Sequence, residues 1–111
     1  MVSAMDALVL SYNDTKRLID IVGVDVIMRN CIERLRDGLV EMANGRRRKC
    51  PPRGGFAIGE YSGRGVIENM PYLNDQEGMT LKTISYKPRN NSLNQLPTVV
   101  GLICRYSDDT G

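Results

Sequence analysis

The sequence predicts an α+β domain in which two N-terminal helices precede an antiparallel sheet. Three observations carry that reading. Met28, Ile32, Leu35, Leu39 and Met42 recur at alternating steps of four and three, the spacing of one helical stripe. The pattern then breaks at Arg46-Arg47-Arg48-Lys49 and the Cys50-Pro51-Pro52-Arg53-Gly54-Gly55 loop. Beyond it, short apolar stretches alternate with turn residues, as strands and hairpins do.

Taken in order, Ala7-Leu8-Val9-Leu10 reads as an edge strand. Ser11-Tyr12-Asn13-Asp14 offers side-chain oxygens that suit a helix N-cap, so a short helix is expected over Thr15–Val22, ended by Gly23. A second helix should begin near Asp25, whose carboxylate favours a positive helix N-terminus, and stop at Asn44-Gly45. Strands are expected at Phe56–Ile58, at Val66–Met70 between Gly65 and Pro71, and at Met79–Tyr86 after the Asn74–Gly78 turn. The last, Thr98–Tyr106, is nearly continuous in apolar residues, which predicts burial on both faces. Between the final two strands, Arg89–Gln95 reads as a polar loop.

Composition excludes several kinds of chemistry. The chain of 111 residues has no histidine, which removes Ser-His, Cys-His and His-metal arrangements. It has no Trp and one Phe, a poor basis for stacking nucleobases, and its formal charge of +2 is weak for a nucleic-acid binder. No nucleic-acid partner is expected. Cys31, Cys50 and Cys104 form no C-x-x-C pair and read as reduced thiols in a cytoplasmic protein. No apolar run approaches the roughly 20 residues that cross a bilayer, and no secretory signal is visible.

Strand alternation sorts the polar residues of the sheet. Lys82 shares a face with Thr80, Ile84 and Tyr86, and Glu68 shares one with Met70. A lysine in mid-strand is either a solvated outer residue or a cation aimed into a pocket to hold an anion. Arg53 sits between two prolines and two glycines; it is either a surface arginine or a guanidinium mounted to grip a carboxylate. Arg46–Lys49 reads as a solvated run. Gly63-Arg64-Gly65-Val66-Ile67-Glu68 begins like a dinucleotide fingerprint, but Glu68 stands at the third glycine position and a strand should follow.

Four ordered blocks add a resemblance. Pro51-Pro52-Arg53, Gly65-Val66-Ile67-Glu68-Asn69-Met70-Pro71, Leu81-Lys82-Thr83-Ile84-Ser85-Tyr86 and Leu96-Pro97-Thr98-Val99-Val100-Gly101 together resemble the ornithine cyclodeaminase and mu-crystallin family, with its lysine cyclodeaminase branch nearest. The likeness runs from about Leu8 to Gly111. It implies an NAD-dependent enzyme that turns L-lysine or L-ornithine into L-pipecolate or L-proline with loss of ammonia. It implies that residues 1–111 are the N-terminal domain that binds substrate and forms a homodimer. The Rossmann domain that binds NAD, a further substrate-binding arginine and the catalytic aspartate would lie past the end of this chain, so no catalytic residue is expected here. By the same resemblance Arg53 and Lys82 match carboxylate-binding cations, while Glu68, Met70 and Thr98 match substrate-pocket positions. A ketimine reductase or amino-acid dehydrogenase of the same family is the alternative enzyme. A crystallin-like ligand-binding or dimerisation module without catalysis is the alternative outside enzymes.

Overall fold

The computed structural model describes residues 7–59 and 64–110. It divides into two compact units, Met1–Ala43 and Asn44–Gly111. The first is a pair of helices and the second an antiparallel sheet, the expected α+β order.

Helix α1 spans Tyr12–Val22 and α2 spans Val24–Ala43. The start of α1 is fixed by a reciprocal capping box. The Ser11 hydroxyl accepts from the Asp14 backbone N–H at 3.2 Å, and the Asp14 carboxylate accepts from the Ser11 N–H at 2.9 Å. The Ser11 hydroxyl also donates to the Asp14 carboxylate at 2.6 Å; that bond first, and the one from the Ser11 N–H second, hold the Asp14 carboxyl below its ordinary pKa of 3.8. Gly23 closes α1 by donating its N–H to the Ile19 carbonyl at 2.8 Å. The stripe of α2 forms as expected, but Met28, Ile32, Leu35 and Leu39 are all about half exposed. Neither α1 nor α2 buries a residue fully.

The expected strand at Ala7–Leu10 does not form. Leu8 is 86% exposed and nothing among the described residues pairs with this segment, so its apolar character has no ladder there to join. In the second unit, strands β1 (Gly54–Ile58), β2 (Gly65–Asn74), β3 (Gly78–Tyr86) and β4 (Val99–Tyr106) form one sheet in chain order. Every neighbouring pair is antiparallel. A short helix, α3 (Asn90–Asn94), occupies the loop expected to be irregular; the Asn90 amide ties it down by donating to the Pro97 carbonyl at 2.9 Å.

Two strand expectations are corrected. β2 does not stop before Pro71 but runs four residues further, to Asn74. β1 ends its ladder at the Gly54↔Asn69 pair, so Pro71 lies where β2 is an edge and needs no donor on that side. β4 is not buried on both faces: Val99, Val100, Leu102 and Ile103 are 54–66% exposed. It is the last strand of the sheet, with β3 on one side only. No helix among the described residues is long and apolar enough to cross a membrane.

Candidate functional site

Residues directly opposite each other in an antiparallel ladder share a face. The register therefore assembles the site by itself. Met70 faces Lys82 across β2–β3, and Lys82 faces Ile103 across β3–β4. Arg53 immediately precedes the Gly54↔Asn69 pair, which sets it level with Met70. One cross-sheet row thus reads Arg53, Met70, Lys82, Ile103. The next row on the same face reads Gly55, Glu68, Ile84, Gly101.

Contacts follow the rows. Arg53 Nη1 lies 3.7 Å from Glu68 Oε2, with the arginine 66% exposed and the carboxylate 26% exposed. Lys82 is exposed and makes no hydrogen bond or ion pair among the described residues. Two cations and one carboxylate so placed leave one positive charge uncompensated. At an effective dielectric near 20, a ligand carboxylate at contact with either cation gains up to about 4 kcal/mol of Coulomb attraction before desolvation. Glu68 is the acid on this face, and an ionised carboxylate there can only accept hydrogen bonds. Met70, between the cations, supplies an adaptable apolar surface.

Four of the five expected site residues, Arg53, Glu68, Met70 and Lys82, are therefore neighbours. Thr98 stands apart. Its carbonyl accepts from the Lys87 N–H at 2.8 Å, five ladder steps beyond Lys82 and roughly 17 Å away along the strand at the usual rise. The opposite face carries Phe56, Ile67, Leu81 and Leu102, with one polar bridge, Thr83 Oγ1 donating to Asn69 Oδ1 at 3.1 Å.

One side-chain cluster was not visible in the sequence. Arg48, in the run expected to be solvated, donates from Nε to both oxygens of Asp75 at 2.9 and 3.0 Å. Its carbonyl accepts from the Tyr72 hydroxyl at 3.2 Å. These residues are 24 and 27 positions apart, and only the tertiary fold of the segment before β1 brings them together.

The described residues do not fit a dinucleotide. Gly65 opens an antiparallel strand and not a helix, so no helix N-terminus is presented to a pyrophosphate there. The glycine has another cause: a Cβ at this position would stand 2.5 Å from the Tyr86 carbonyl oxygen. Gly63 lies outside the described residues.

Fold and site define a small α+β chain whose sheet presents two cations and a carboxylate on one face. Among known proteins, it is 41% identical over 107 residues to an L-lysine cyclodeaminase of Streptomyces rapamycinicus, a match spanning 96% of this chain and 31% of that protein. A solved lysine cyclodeaminase, whose structure concerns recognition of L-lysine, L-ornithine and L-2,4-diaminobutyric acid, superposes with a TM-score of 0.88 at 39% identity, again over 96% of this chain and 31% of the other. No protein-family model matches. In sequence and fold this chain is similar, nearly end to end, to one stretch of these lysine cyclodeaminases, in keeping with the family its motifs resemble. The chain spans about a third of the length of these relatives.

Proposed function

We propose that this chain is the substrate-binding domain, residues 1–111, of an NAD-dependent cyclodeaminase that converts L-lysine or L-ornithine to L-pipecolate or L-proline. The observation that carries the reading is the placement of Arg53, Glu68, Met70 and Lys82 in adjacent rows of one face, in a chain related over 96% of its length to lysine cyclodeaminase. Arg53 and Lys82 hold the α-carboxylate between them. Glu68 accepts from a substrate amine, and Met70 packs against the aliphatic chain. The binding face as proposed does not include Thr98, five ladder steps from Lys82. NAD supplies hydride chemistry from a domain other than the one described, and this chain's share is binding and orientation.

Two further parts of the reading concern the molecule's surroundings. The domain forms a homodimer, supported by the exposed apolar residues of β4. A cytoplasmic setting accords with three free thiols.

The test compares L-lysine with cadaverine, which keeps both amines and the chain but lacks the carboxylate. In a 15N-NMR titration of the chain, L-lysine shifts the signals around Arg53 and Lys82 and cadaverine does not. Equal responses to both would remove the carboxylate from the site and overturn the reading. An amino-acid panel assayed with NAD and the product of the whole open reading frame then identifies the substrate.

A further inference from the structure

The segment before β1 runs beside β2 without a backbone ladder. Continuing the Gly54↔Asn69 register backwards sets Pro52 opposite Pro71 and Arg48 opposite Asp75. Pro51, Pro52 and Pro71 have no N–H, so hydrogen bonds between the two backbones are removed along this stretch. Arg48 nevertheless reaches Asp75, in the turn just past the end of β2. The Tyr72 hydroxyl adds a second tie, to the Arg48 carbonyl. At the other end lies Arg53, against Glu68.

We infer that Arg48, Tyr72 and Asp75 form a clamp that stands in for the missing ladder and sets the position of Arg53 on the binding face. They are positioning residues: Tyr72 lies one row from Met70 and Lys82 on the same face, and its hydroxyl is engaged with the Arg48 carbonyl. Pro51 and Pro52 carry the clamp's effect further along the chain, because each ring fixes φ and narrows the paths open between Arg48 and Arg53. Fixing Arg48 thus restricts Arg53, five residues on. The side-chain ties hold the segment beside β2 and the Arg53 guanidinium stays 66% exposed.

This inference rests on Arg53 binding the α-carboxylate, and the experiment separates the two. L-lysine is titrated by NMR into the parent chain, Arg53→Met, the double variant Tyr72→Phe with Asp75→Asn, and the triple variant combining them. Asp75→Glu is the conservative control. The double variant is expected to weaken L-lysine binding about three- to tenfold, the scale of one or two net hydrogen bonds, with β2–β3 amide protection unchanged. Asp75→Glu with Tyr72 intact restores most of the affinity. In the Arg53→Met background the clamp changes have no further effect, since they act through Arg53. Equal weakening with and without Arg53, or no weakening in the double variant, overturns the clamp. If Arg53→Met itself binds L-lysine like the parent, the substrate-site reading fails instead.

Discussion

At the scale of single residues, the proposed site depends on two cations, Arg53 and Lys82, that would share one ligand carboxylate. Lys82→Met keeps the stem's length and apolar contacts and deletes the charge, so the sheet should fold unchanged. The expected loss is about 1.5–3 kcal/mol in L-lysine binding, the usual scale for a hydrogen bond to a charged group. In the whole enzyme it appears in kcat/KM for the amino acid, with NAD affinity nearly constant. Arg53→Met behaves alike, and the double variant is less than additive because both cations serve one carboxylate. Parent-like turnover by Lys82→Met would leave Lys82 a solvated strand residue. Both cations were legible as residue types in distinctive settings, a lysine in mid-strand and an arginine between prolines and glycines. Their company was not. That Glu68 lies 3.7 Å from Arg53, and that Thr98 lies five steps from Lys82, follows from pairing register, which no single stretch of sequence contains.

At the scale of elements, local signals succeeded where the cause was local. The capping box of α1 is written in Ser11 and Asp14, and it carries a pH signature. Asp14 titrates below 3.8 when folded. Its contribution is therefore complete above that value and is lost as pH falls through the lower, folded value. Far-UV circular dichroism should show α1 helicity falling in that acid window for the parent, with the Asp14 component absent in Asp14→Asn. Turn chemistry is equally local. Gly78 has φ +95°, and a Cβ there would collide with the Tyr106 carbonyl oxygen and stand 2.8 Å from the Asp108 nitrogen. Gly78→Ala is expected to destabilise the sheet by more than about 1 kcal/mol in thermal unfolding, and an unchanged melting temperature would contradict this geometry. Where the cause was non-local, the elements came out differently. Pro71 reads as a strand terminator, but the shortness of β1 gives it an edge to occupy. Leu8, Val9 and Leu10 read as a strand, yet a strand needs a partner and none among the described residues adjoins them.

At the scale of the molecule, the proposed division of labour makes the chain a binder without chemistry. Incubated alone with NAD and L-lysine, it should form no pipecolate, and mass spectrometry detecting product above a no-protein control would refute that. The exposed apolar surface has a consequence of its own. The continuous apolar character of β4 suggested burial, yet Val99, Val100, Leu102 and Ile103 are each more than half exposed. Their alternation divides them between the two faces, and β4 also presents the free backbone edge of the sheet. Such an edge with large apolar residues on both faces is a template for another chain, and a second copy offers the same groups in return. Burying a Val, Leu or Ile side chain contributes about 1.5–3 kcal/mol, so a few residues on each copy offset much of the entropic cost of association. Sedimentation velocity at tens of micromolar should therefore show a dimer. Leu102→Glu places a charge on one face of β4, Ile103→Glu on the other, and whichever face is covered should yield monomer with its helices and sheet intact by circular dichroism. A folded parent that sediments as a monomer at that concentration would show that β4 is an ordinary solvated edge, and the homodimer would have to be built from another surface.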